Sequence, residues 1–185
     1  MEKKKNEWFD WIKALLFAAV LALIVRMFFF APIVVDGPSM LPTLENGDYM
    51  IANKLNYLIG EPNRFDIVVF HATADKDYIK RVIALEGEYV EMKGDKLYID
   101  GKEVEEPYLN SIKSSFSSKQ PYTFDFKLED LPGGYSEIPK GYVFVLGDNR
   151  GNSTDSRMLG PIPIDQLVGV ASFRYWPIDR FGIVN

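Results

Sequence analysis

The run from Ala14 to Val35, interrupted only by Arg26 and Pro32, limits what this chain can fold into more than any other stretch. It is apolar on every helical face, so packing one stripe of it against a core would leave the rest uncovered. Ahead of it stand Lys3, Lys4, Lys5 and Lys13 with Trp8 and Trp11, a cationic head with rings suited to a membrane–water interface. Residues 14 to 31 suffice for a bilayer span, which needs about 20 apolar helical residues and tolerates roughly 17. Arg26 lies near enough to the outer end to snorkel. A cleaved leader is disfavoured, because Arg26 interrupts the outer third and no small-x-small pattern follows. Four lysines precede the run, and only Lys54 occurs in residues 36 to 55, which keeps the N-terminus in the cytoplasm. The expected organisation is a cytoplasmic segment over residues 1 to 13, a transmembrane anchor over 14 to 35 and an extracytoplasmic domain over 36 to 185.

That domain reads as mainly β. Strands are expected at residues 49 to 53, 65 to 71, 77 to 85, 89 to 92, 96 to 99, 141 to 146 and 173 to 177, each rich in β-branched or aromatic residues. Lys93-Gly94-Asp95 and Asp100-Gly101-Lys102 read as hairpin turns. Residues 86 to 140 are loop-rich, and Ser111 to Ser118 read as a mobile loop. A net charge of −5 with no basic stripe argues against a nucleic-acid partner. The absence of cysteine excludes disulfides and thiolate catalysis, and with one histidine, His71, any imidazole chemistry would rest on that residue alone. His71 stands at a strand end before a polar turn and reads as a surface histidine.

Three stretches carry chemistry. Gly37-Pro38-Ser39-Met40-Leu41-Pro42-Thr43-Leu44 holds one serine between two prolines, and Pro38 and Pro42 stiffen the loop around Ser39. A serine needs an adjacent base to act as nucleophile, and a desolvated lysine is one such base. Lys80 and Arg81 lie within a mostly apolar strand, on opposite faces, so one of them should be partly buried. The polar run Gly147 to Arg157 carries Asp148 and Asp155 with Arg150 and Arg157. A calcium loop does not fit it, since Arg150 takes a ligand position and Gly151 comes too early, so no metal is expected. Ion pairing of Asp148 and Asp155 with Arg81 and Arg157 is expected instead.

Taken together, these stretches resemble the type I signal peptidases, membrane-bound serine proteases with a Ser-Lys dyad. The resemblance rests on residues 39 to 44, Gly47-Asp48, residues 78 to 82, Gly147-Asp148-Asn149-Arg150 with Asn152-Ser153, and Asp155-Ser156-Arg157, in the family's order behind the anchor. It implies Ser39 as nucleophile, Lys80 as general base and Ser153 as the hydroxyl that orients the Lys80 amine. Met40, Pro42, Arg81, Asp148, Asp155 and Arg157 would support them without a cofactor. It also implies a β-rich catalytic domain at the outer face of a bacterial plasma membrane, acting on secretory preproteins after small residues at the first and third positions before the scissile bond. Many members carry a serine two residues before the nucleophile that joins the oxyanion hole; here that position is Gly37, so the hole is expected to rest on the Ser39 N–H and on what Gly37 presents.

Overall fold

The computed structural model describes residues 7–54, 60–73, 75–115 and 121–184, with the side chains of Glu7, Ile24, Val25 and Met27 outside the description. Lys3, Lys4 and Lys5 lie outside the described residues, as do positions 116–118 of the serine-rich stretch. The described start of that stretch is ordered: Asn110–Lys113 form a short helix, α2, after a helical turn at Pro107–Leu109.

Helix α1 spans Glu7–Phe29, and its side chains from Trp8 to Leu23 are all exposed, apolar ones included. Among the described residues no helix is long and apolar enough to cross a membrane. Of the stretch 14 to 35, residues 14 to 29 are helical, and Phe30–Val34 form an edge strand, β1. The chain turns extended where Pro32, which cannot donate to a helix or a ladder, meets the β-branched pair Ile33 and Val34.

The remainder is mainly β, as expected. The strands are β2 (Tyr49–Asn53), β3 (Ile67–Thr73), β4 (Lys76–Ala84), β5 (Val90–Lys93), β6 (Lys96–Ile99) and β7 (Lys102–Val104). After α2 come β8 (Phe126–Lys127), β9 (Tyr142–Leu146), the short helix α3 (Ser156–Leu159), β10 (Ile162–Pro163), β11 (Leu167–Trp176) and β12 (Gly182–Ile183). The large sheet runs β1-β2-β11-β3-β4-β9-β10, with β12 also on β11, and the small one runs β7-β6-β5-β8. Each step from β1 through β2, β11 and β3 to β4 is antiparallel, so β1 and β4 point the same way.

Strand β11 begins six residues before the aromatic tail that signals it in the sequence. Gly169 permits this, since a Cβ there would lie 2.7 Å from the Asn53 carbonyl oxygen. Two cores position the site. One joins the sheets, packing Ile83, Phe144 and Leu146 of the large sheet against Val90, Met92 and Leu97 of the small one. The other lies beneath the 37–44 loop, where Met40 and Leu44 sink among Val35, Met50, Ile67 and Val69. Each such side chain contributes about 1.5–3 kcal/mol when fully buried, enough to pin the loop backbone.

Candidate active site

Three segments converge on Ser39: its own loop, β4 and the 147–157 turn. Met40 is 1% exposed and Pro42 is exposed on the far side of the turn, so the loop is anchored on one face with half-buried Ser39 between them. The 147–157 segment fixes the serine backbone: Asn149 N–H donates to the Ser39 carbonyl at 3.0 Å, and the Asn149 amide donates to the Pro38 carbonyl at 3.1 Å. The fit there excludes any side chain on Gly147, because a Cβ would lie 2.5 Å from the Ser39 carbonyl oxygen and 2.2 Å from Ser153 Oγ.

Strand β4 delivers both of its charges into the interior. Lys80 is 3% exposed and Arg81 fully buried, so burial takes both and not one. Strand alternation sends them to opposite faces. Lys80 Nζ donates to Ser39 Oγ at 2.8 Å and to the Ile79 carbonyl at 2.8 Å, and it lies 5.1 Å from the centre of the Tyr78 ring. Burial lowers the Lys80 amine to about 8, while the charges of Asp155 and Asp148 push it the other way.

Those carboxylates are held by arginines. Asp148 accepts from Arg81 Nε at 2.9 Å and from Nη2 at 2.7 Å, a bidentate pair with both side chains fully buried. Asp155 accepts from Arg157 Nε and Nη2, both at 2.8 Å, caps α3 through the Arg157 N–H and takes the Gly147 N–H at 3.0 Å. The expected pairing is thus realised as Arg81 with Asp148 and Arg157 with Asp155. Among the described residues no group of three or more acidic or histidine side chains could hold a metal ion.

Two expectations meet a different geometry. The Ser153 hydroxyl is buried beside Gly147 but has no hydrogen-bond partner among the described residues, so it is not joined to the Lys80 amine. Gly37, at φ +97°, adopts the left-handed backbone that glycine favours, and its N–H is already given to Asn46 Oδ1 at 2.9 Å. Gly37 therefore offers space and not a donor. His71 lies at the exposed end of β3, with Nδ1 2.6 Å from Asp77 Oδ1, while the Lys80 amine bonds to Ser39 and the Ile79 carbonyl.

Several supporting residues carry no local signal in the sequence. Thr43 donates a short hydrogen bond to Asp148, and Tyr122 donates to the Asp148 carbonyl at 2.6 Å. Arg150 pairs in the interior with Glu106 of the small-sheet region while its Nε holds the Gly147 carbonyl at 3.0 Å. Burial pushes the Glu106 carboxyl up, but Arg150, helped by Lys113 and Tyr108, holds it below its ordinary value. Asp48, fully buried, takes Arg174 at 3.0 Å and Arg180 at 2.7 Å, which ties the end of the chain to the loop that follows Ser39. A charge pair across more than a hundred residues has no spacing rule by which it could be found.

Beside Ser39 and Lys80 opens a cleft of about 450 Å³. One wall is β1 and its continuation to Met40, the other the first half of β4, with Ile33, Val35, Met40 and Ile79 among its apolar lining.

The family model described as signal peptidase, peptidase S26, matches residues 8–176. A signal peptidase I from Bacillus caldolyticus is 47% identical over 180 residues, covering 97% of this chain and 95% of that one. A signal peptidase IB from Staphylococcus aureus is 43% identical over 180 residues, covering 96% of this chain and 94% of the relative. The crystal structure of a signal peptidase I from Enterococcus faecalis V583 superposes with a TM-score of 0.58 at 43% identity, covering 60% of this chain and 97% of that one. The chain is a serine endopeptidase and belongs to the signal peptidase family, peptidase S26.

Proposed function

We propose that the chain removes signal peptides from secretory preproteins at the outer face of a bacterial plasma membrane, with Ser39 as nucleophile and Lys80 as its general base. The observation that carries this is the 2.8 Å hydrogen bond between Lys80 Nζ and Ser39 Oγ, on an amine that burial has lowered to about 8. Neutral Lys80 takes the Ser39 proton as Oγ bonds to the scissile carbonyl carbon, and the resulting ammonium gives it to the departing amine. A water, deprotonated in turn by Lys80, then hydrolyses the ester on Ser39 and restores the hydroxyl. The Ser39 N–H is the proposed oxyanion donor, and the Lys80 amine is steadied by the Ile79 carbonyl at 2.8 Å, while the Ser153 hydroxyl, without a hydrogen-bond partner among the described residues, is not joined to it. Met40 and Pro42 hold the loop, and the Arg81–Asp148 and Arg157–Asp155 pairs hold the two segments that carry it. Cutting after small side chains at the first and third positions before the scissile bond is the rule the family resemblance implies, and the apolar lining residues Ile33, Val35 and Ile79 are compatible with it. Ser39→Ala should lower preprotein cleavage by roughly 10⁴-fold or more, whereas His71→Ala should leave most of it. A folded Ser39→Ala that still cleaves, or a folded His71→Ala that does not, sinks the assignment.

The anchor belongs to the same proposal: one pass, N-terminus in the cytoplasm, lipid bilayer as partner. Support comes from the exposed apolar side chains around α1 and from the lysine bias ahead of it. The described side chains of α1 fall short of a crossing by themselves, so the proposal also draws on the apolar sequence at positions 24, 25 and 27. Protease added to intact spheroplasts should digest residues 36 to 185; protection until the membrane is breached would reverse the orientation.

A further inference from the structure

The charged residues lining the cleft, among those described, are Asp36, Asp77 and Lys80. With the amine lowered to about 8, the cleft loses its one cation under the conditions in which the amine can act as a base, and two carboxylates remain. Both are exposed at the rim, Asp77 with half of its side chain in solvent, and neither is spent in an ion pair with a lysine or arginine among the described residues. The Asp77 carboxylate lies 2.6 Å from His71 Nδ1, its one side-chain hydrogen-bond partner seen among the described residues.

Their placement follows from the sheet. Asp36 stands three residues before Ser39 and Asp77 three residues before Lys80, and the strands leading to the two walls are parallel. The carboxylates therefore lie to the same side of the reacting pair. At about 3.3 Å per extended residue they are up to ~10 Å away, the reach of roughly three residues of an extended peptide. Apolar residues line the cleft floor between them, so a polar substrate side chain meets these charges at the rim.

From this we propose that Asp36 and Asp77 are specificity-determining residues, which make the enzyme favour a basic over an acidic side chain two to four positions from the scissile bond, on one side of it only. The proposal rests on the reading of this cleft as the peptide-binding site beside Ser39. It is an addition to the small-residue requirement, which concerns the apolar floor.

The test uses the full chain in detergent at pH 9 with synthetic peptides that keep alanine at the first and third positions before the cut. Lysine, serine or glutamate is moved singly through the second and fourth positions before the cut and the first four after it. The expected kcat/KM ratio of lysine to glutamate is about tenfold at the preferred position, the size two exposed charges give together, and near one on the other side of the bond. Raising the salt should shrink it. The ratio should fall toward one in Asp36→Asn/Asp77→Asn and invert in Asp36→Lys/Asp77→Lys; either single Asn variant should lose about half of the logarithm of the preference. Because each ratio is taken within one variant, a variant with lower overall activity still reports. A flat wild-type scan, an equal preference on both sides, or a preference that survives the Asn variants overturns the proposal. Failure of the underlying reading is separate: it would be seen as cleavage of the serine-bearing peptides by Ser39→Ala, whatever the charge ratios.

Discussion

Lys80→Arg should be as inactive as Lys80→Ala, several orders of magnitude below wild type, although it keeps the charge and nearly the reach of the native side chain. The guanidinium cannot deprotonate in this pH range, so a base is lost while a cation remains. In the wild type the amine is lowered to about 8 by burial. Below that pH it is charged and cannot accept the Ser39 proton, and above it the neutral form prevails, so kcat/KM should rise with pH through about 8 and level off beyond. A bound peptide removes more water from the cleft, which disfavours the ammonium further and should move the limb in kcat to lower pH. Appreciable turnover by Lys80→Arg, or an acidic limb near the ordinary histidine value of about 6.5 that disappears in His71→Ala, would remove Lys80 from the role.

How much of this was readable in advance follows the range over which each feature is determined. Strand β2 and the β5–β6 hairpin were legible at nearly their observed bounds, because alternation and turn glycines are local. Strand β1 was hidden inside an apolar run in which helix and strand leave the same hydropathy trace, and only its pairing with β2 decides between them. Ser39 and Lys80 stood out as a stiffened serine and a charge in an apolar strand, 41 positions apart, and the fold brings them to 2.8 Å. The small-sheet region showed β structure without chemistry, yet just past β7 it supplies Glu106, which takes Tyr108 and Lys113 and holds Arg150 under the Gly147 carbonyl. Nothing in the Glu105-Glu106-Pro107 sequence distinguishes that glutamate from its exposed neighbour.

The second large effect concerns the fold that carries the dyad. Asp148→Ala should cost about 3–5 kcal/mol, because it leaves the Arg81 guanidinium fully enclosed without its carboxylate. The remaining partners of Arg81, the Phe65 carbonyl at 3.0 Å, the Thr43 hydroxyl at 3.4 Å and the Tyr108 ring 3.9 Å away, satisfy donors and a face but cannot balance the charge. Chemical denaturation of the full chain in detergent, followed by near-ultraviolet circular dichroism, measures the loss. Replacing both partners, as in Arg81→Met/Asp148→Leu, should recover much of it, since the cost lies in the orphaned cation and not in the absence of a pair. The milder Asp148→Asn should remain folded enough to assay and has a kinetic signature of its own. It removes one of the two carboxylates that hold the Lys80 amine up against the effect of burial, so the acidic limb of kcat/KM should move below about 8. A limb that stays in place, or moves upward, would mean that the Asp148 charge does not reach Lys80 and that the pair serves the fold alone.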